Sequence, residues 1–205
     1  HCTSSDVLLA LDCAAQAGIK YLAYDDRLLD YSQPESLEAL RKRIQPVISH
    51  EACLGIYVID EPSSEYFPLI GKSRKLYAQI TDKPYFVNLY PNYAPSAALG
   101  NKFLSNLEEI QNNAVKNGME HWEYLQGMEG SHYKRPNYND MRFQAYTSMA
   151  YGVVTMNYFC YFTPHENAGE EYDETGSAFI DGKGDRTDIY SAGQKLNAEI
   201  HAFDH

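Results

Sequence analysis

The sequence is poor in positive charge, in tryptophan and in paired cysteines, and each shortage argues against a class of function. Lys and Arg number 17 against 28 Asp and Glu, a formal charge of −11. A surface of that sign repels phosphate backbones and no basic stripe offsets it, so no nucleic-acid partner is expected. The four cysteines, Cys2, Cys13, Cys53 and Cys160, contain no CxxC pair, which argues against a zinc cluster or a thioredoxin-like site. Cys13 falls in an Ala-rich helical stretch and Cys160 in an aromatic strand, where a buried thiol is the ordinary reading. None of the seven histidines stands in an HExxH pattern, as a zinc hydrolase of that type requires. There is no GxSxG elbow, no Gly-rich phosphate loop after a strand, and no run apolar enough to span a membrane. No cofactor is implied. The chain opens at His1 without a methionine, so the expectation is a processed or truncated N-terminus, with a secreted or periplasmic compartment if a signal peptide was removed.

What is there is an alternation of helices and apolar strands in 205 residues, enough for one domain with a substantial core. Ser4 and Ser5 precede a helix expected over 6–16, which Gly18 ends. A strand follows over 19–24 and runs into Asp25-Asp26-Arg27. A helix over 34–48 leads to Cys53-Leu54-Gly55-Ile56-Tyr57-Val58-Ile59, a nearly continuous apolar run that suits a strand covered on both faces. It ends in Asp60-Glu61-Pro62. The unit recurs: helix 65–80 and strand 85–90, helix 103–117 and strand 121–126, helix 139–151 and strand 153–162. A polar hairpin over 176–187, with Gly182-Lys183-Gly184 at its turn, precedes a last helix over 188–203. Alternation of this kind predicts an α/β protein with parallel crossovers. The pattern fits a (β/α)-barrel, whose strand ends share one functional rim, or an open doubly wound sheet. The missing phosphate loop argues against the second.

An ordered set of segments carries a family resemblance: Gly55-Ile56-Tyr57-Val58-Ile59-Asp60-Glu61-Pro62, Tyr85 to Tyr93, Arg142-Phe143-Gln144-Ala145-Tyr146, Ala150-Tyr151-Gly152, and Tyr158-Phe159-Cys160-Tyr161-Phe162-Thr163-Pro164. Together they resemble glycoside hydrolases of gut bacteria, (β/α)8 TIM-barrel proteins distantly similar to family 42 β-galactosidases. The resemblance runs from about Asp6 to Phe203 and implies a single barrel domain over 1–205. Five strands are legible instead of eight, so the barrel is expected to be incomplete here. Strands one and two should precede His1, and strand six should lie in a segment absent between Gly100 and Asn101. The resemblance also implies that Asp-Glu-Pro ends the fourth barrel strand, which gives Glu61 the acid/base role.

Glycoside hydrolysis usually sets two carboxyl groups across the scissile bond, about 5 Å apart for direct attack or about 6.5–9.5 Å apart for activation of a water. Glu61 follows an apolar strand, where partial desolvation should hold its proton near neutral pH. The plainer alternative is a structural carboxylate paired with a nearby Lys or Arg. Asp60 points to the opposite side by the strand's period of two and reads as a loop tie. For the second carboxylate, alignment of Trp122 with the family's tryptophan puts the nucleophile near Leu125, which cannot attack. Glu129, in the loop beyond that strand, is the substitute, with Glu123 earlier in the strand as another. Asn88, Gln126, His132 and Asp25 could bond a sugar's hydroxyls, and Tyr90, Trp122 and Tyr161 could stack on its ring. Each has an ordinary packing or capping alternative. The acidic stretch Glu166, Glu170, Glu171, Asp173 and Glu174 lacks EF-hand spacing and reads as a solvated loop. The expected partner is a carbohydrate substrate. A non-catalytic carbohydrate-binding barrel and a purely structural α/β domain are the competing readings, and the sequence leaves the oligomeric state open.

Overall fold

The computed structural model describes residues 7–24, 36–89, 101–130, 134–164 and 177–203. The chain divides into two compact units, His1–Pro91 and Asn92–His205. The protein is α/β, with every strand pair parallel, as the alternation of helix and strand requires.

The first unit runs α1 (Val7–Gln16), β1 (Tyr21–Tyr24), α2 (Leu37–Ile48), β2 (Cys53–Asp60), a short 3₁₀ turn, α3 (Phe67–Tyr77) and β3 (Tyr85–Asn88). Its sheet has the order β1-β2-β3, so each strand lies beside the next in sequence. In α2, Ser36 caps the start by accepting the Ala39 N–H at 3.1 Å. The helix then buries Leu40, Ile44, Val47 and Ile48, one face at helical spacing. Leu11, Leu40, Ile44 and Ile56 are wholly buried in one cluster with Ala23, Val58 and Tyr77, and each such aliphatic side chain contributes about 1.5–3 kcal/mol. Close approach of β2 and β3 depends on Gly55, because a Cβ there would lie 2.3 Å from the Pro84 carbonyl oxygen. That oxygen accepts the Ile56 N–H at 2.9 Å.

The second unit runs α4 (Asn101–Lys116), β4 (Trp122–Gln126), α5 (Tyr138–Ala150), β5 (Thr155–Phe159) and α6 (Asp188–His201). Strands β4 and β5 pair in unbroken register from Trp122↔Thr155 to Gln126↔Phe159. Asn137 and Asp140 close a reciprocal capping box at the start of α5. Leu125, Met141, Ala145, Phe179, Ile189 and Leu196 form the main core. A smaller cluster joins Phe103, Leu107 and Val153. The expected hairpin is present in its described part: Ile180 bridges Arg186 antiparallel and Phe162 in parallel, and the Asp181 side chain accepts the N–H groups of Lys183 and Asp185, each at 2.9 Å.

Helices α1, α4 and α5 end alike, at Gly18, Gly118 and Gly152, all with positive φ. The following residue's N–H reaches back to a carbonyl five residues earlier, as in Ile19 to Ala14 and Met119 to Ala114, both at 2.9 Å. This Schellman closure turns each helix into the next strand. The expected helix and strand boundaries agree with the structure within a few residues, the one large trim being the strand expected over 153–162, which is regular only over Thr155–Phe159. The expected gap between Gly100 and Asn101 borders residues 90–100, which lie outside the described residues.

Candidate functional site

In parallel sheets the carboxyl ends of strands collect the loops and the polar side chains. At that end of the first sheet the pairing of β2 with β3 slips between Tyr57 and Ile59, and the slip changes which side chains share a face. Ile56, Val58 and Ile59 all lie in the core cluster. Tyr57 pairs with Phe86, and Asp60 pairs with Asn88. Along the regular strand β3, Phe86 and Asn88 share one face, while Tyr85 and Val87 pack toward the core on the other. The irregularity therefore sets Tyr57 and Asp60 on the same side, away from the core cluster, where strict alternation would have separated them.

The hydrogen bonds agree with that placement. Asp60 Oδ1 accepts from the Tyr57 hydroxyl at 2.8 Å and from the Asn88 side-chain amide at 2.7 Å. Glu61 follows with φ +44, a left-handed backbone that costs a non-glycine residue roughly 1–2 kcal/mol. Its N–H donates to the Asn88 carbonyl at 2.9 Å. One asparagine thus clasps the end of β2 twice, by side chain to Asp60 and by main chain to Glu61. Beneath this polar clasp lies an aromatic row, with Tyr24 edge-on to Tyr57 at 5.4 Å between ring centroids and Phe86 tilted against Tyr57 at 5.1 Å.

The corresponding end of the second sheet is braced from within. The Gln126 side-chain amide donates to the carbonyls of Met128 at 2.9 Å and Lys134 at 2.6 Å. Its backbone N–H donates to Gln144 at 2.9 Å. Glu129 pairs with Arg135 at 3.2 Å, and the same guanidinium binds Asp188 at the start of α6. Bonds to Asp188 and Glu129 hold the Arg135 guanidinium above its ordinary value, and bonds to Arg135 hold the Asp188 carboxyl below its own. Beyond β5, Phe159, Tyr161 and Phe162 are exposed. Tyr161 stacks on Phe179 at 5.9 Å and meets Phe162 edge-on at 5.0 Å. The Cys160 thiol, raised by burial, donates to the Phe162 carbonyl at 3.0 Å.

Several sequence expectations change here. Glu61 is exposed. Its position at the end of β2 is as expected. Asp60 is the tie it was expected to be, but on the face of Tyr57 because of the register slip. Gln126 is engaged by backbone carbonyls, and Glu129 by Arg135, so both act first as loop braces. Trp122 begins β4 and lies at the strand end opposite Gln126, its indole N–H donating to Glu120 at 2.9 Å. Tyr161 presents an exposed ring just beyond the end of β5. Asp25, Tyr90 and His132, with Asp26, Arg27 and the acidic stretch Glu166 to Glu174, lie outside the described residues.

Sequence reasoning missed one polar cluster. His121 is buried, its side chain only 1% exposed, and the Glu123 side chain is 18% exposed. His121 Nε2 lies 3.3 Å from Glu123 Oε2, and Nδ1 lies 3.2 Å from Gln111 Oε1 on α4. Burial pushes the Glu123 carboxyl up to about 7 and the imidazole below its ordinary value. The available signal was a His and a Glu two apart on one strand face, continuous with the core residue Leu125. Among the described residues no group of three or more His, Cys, Asp or Glu could hold a metal ion, and no helix is long and apolar enough to cross a membrane. Comparison of the chain with protein-family models, curated proteins and solved structures gives no match.

Proposed function

We propose that the chain is part of a (β/α)8-barrel glycoside hydrolase in which Glu61, at the end of β2, is the general acid. The observation that carries the reading is the β2 terminus itself. A carboxylate in a strained left-handed conformation stands at the carboxyl end of a parallel strand, next to a clasped carboxylate–amide pair and an aromatic row. Strain maintained by surrounding bonds is found preferentially at working sites. The neighbour relations also support a barrel. Within each of the two sheets a strand pairs with its successor in sequence, whereas a doubly wound sheet reverses its strand order at a switch point. The barrel reading assigns β1, β2 and β3 to positions three to five and β4 and β5 to positions seven and eight. Strands one, two and six would come from protein outside this sequence.

The substrate would be an oligo- or polysaccharide. Aromatic rings pack on the apolar faces of sugars, and amides and carboxylates bond their hydroxyl groups. Glu61 would give its proton to the departing glycosidic oxygen, and burial of Glu61 by bound sugar would supply the desolvation that an acid at neutral pH needs.

The competing reading, a non-catalytic carbohydrate-binding barrel, is favoured by a specific feature. Asp60 and Glu129, the other carboxylates at these strand ends that the described residues include, already accept bonds from Asn88, Tyr57 and Arg135. The full-length protein assayed on a glycan panel separates the two. Hydrolysis that falls by about 10²–10⁴-fold in Glu61→Gln supports the acid role. Turnover equal to wild type in that variant excludes it, and binding without turnover supports the second reading.

A further inference from the structure

The buried cluster at the start of β4 lies apart from the strand ends considered above. His121 Nδ1 faces Gln111 Oε1, which can only accept, so with the amide turned this way Nδ1 carries a proton. One further proton must then lie between His121 Nε2 and Glu123 Oε2. Without it, a lone pair would face a carboxylate oxygen in a buried space, an unpaired arrangement that costs free energy.

We infer that His121, Glu123 and Gln111 form a one-proton switch joining helix α4 to strand β4. With the proton present, the Glu123 carboxyl donates to Nε2 and Nδ1–H donates to the Gln111 carbonyl. When that proton leaves to solvent, the ring's remaining proton moves to Nε2 and bonds the carboxylate. Nδ1 then needs a donor, and the Gln111 amide supplies one by turning its NH₂ group toward the ring. Gly152 gives the amide room to turn: a Cβ there would lie 2.6 Å from Gln111 Nε2 and 3.0 Å from Cδ.

Among the described residues, the surroundings leave the proton to these three. From α4 comes Gln111, and the charged Glu108, Glu109 and Lys116 of that helix are exposed. From β5 comes Met156, opposite Glu123 in the ladder. The α5–β5 connection brings Gly152 and Val154, whose N–H donates to the His121 carbonyl at 3.0 Å, with Tyr151 packed in the small apolar cluster nearby. Glu120 is exposed and bonded to the Trp122 indole. Burial lowers His121, and burial partly offset by the Tyr124 N–H raises Glu123.

The test is ring ¹⁵N and side-chain carboxyl ¹³C NMR of the full chain from about pH 5 to about pH 9. The expected result is a change of His121 from the Nδ1–H to the Nε2–H tautomer with a midpoint near the Glu123 value of about 7, accompanied by a shift of the Gln111 amide resonances. In Glu123→Gln the side-chain amide donates to Nε2 at every pH, so the Nδ1–H tautomer persists throughout. A single His121 tautomer across the range in the wild-type protein overturns the inference, as does a Glu123 carboxyl titrating near the ordinary 4.5. A tautomer change in Glu123→Gln equal to wild type overturns it too. If that variant does not fold, the two wild-type titrations decide the matter.

Discussion

Asn88 holds Asp60 through its side-chain amide at 2.7 Å and takes the Glu61 N–H on its backbone carbonyl at 2.9 Å. Two consecutive residues of β2 are therefore fixed by one residue of β3. The side-chain bond sets the rotamer of Asp60, and the main-chain bond helps to hold Glu61 in its left-handed turn.

Glu61→Gly should stabilise the protein by roughly 1 kcal/mol, because glycine adopts φ near +44 without the Cβ clash that opposes it in other residues. Glu61→Gln keeps the backbone cost and should leave stability within about 0.5 kcal/mol of wild type. Urea denaturation of both variants checks this. A glycine variant weaker than wild type would falsify the strain argument.

Asn88→Ala removes one donor from Asp60 and should destabilise by roughly 1 kcal/mol. In the hydrolase reading kcat should change little, since the backbone carbonyl that takes the Glu61 N–H is kept. Asn88→Asp offers no donor while ionised and sets like charges side by side, so it should be worse than alanine above about pH 5. Equal midpoints for the two variants in urea at neutral pH would argue against the clasp.

Stability should depend on pH through Glu123. A carboxyl raised on folding favours the folded state fully below its unfolded value, and that advantage is lost as the pH climbs from 4.5 through about 7. His121 acts on the acid side: its lowered value penalises folding as the pH falls below 6.5. Stability should therefore peak in mildly acidic solution. Glu123→Gln should flatten the alkaline limb and exceed wild type at pH above about 8 by up to about 3 kcal/mol. Thermal melts across the range test it, and parallel profiles for the two proteins would show that Glu123 carries no such linkage.

Two helical glycines should respond oppositely to alanine. Gly71 in α3 has open space where a Cβ would stand, so Gly71→Ala should stabilise by roughly 0.5–1 kcal/mol. Gly193 in α6 lies against the Phe179 ring, and a Cβ there would come within 2.3 Å of it. Gly193→Ala should cost roughly 1–3 kcal/mol by overpacking. Opposite signs in calorimetry are the expected outcome. A stabilised Gly193→Ala would mean that Phe179 can leave its place freely.

The α/β class and the helix–strand order were legible because α1, α4 and α5 each end at a glycine and the strands carry β-formers, as in Ile56-Tyr57-Val58-Ile59. The facing of residues at the end of β2 was not legible. A one-residue slip near Val58 leaves no mark in composition, yet it decides where Asp60 points. The environment of Glu61 depended on coverage from outside its own strand, which local sequence does not encode. Gln126 and Glu129 had the right residue types at the expected rim, but nearby backbone carbonyls and Arg135 took their polar atoms. Glu123 was visible as a charge in an apolar strand. What the sequence could not supply was Gln111, brought to His121 by α4 from 10 residues away.

Phe179 fits where Gly127 and Gly193 leave room and packs in the core with Leu125 and Met141. It and α6 are also the last parts of that core to be synthesised. Until they emerge, Leu125, Met141 and Ala145 lack the Phe179, Ile189 and Leu196 side chains that pack with them in the finished core. The second unit is thus built to finish late, its apolar interior open to chaperones or to wrong partners until the closing ring arrives.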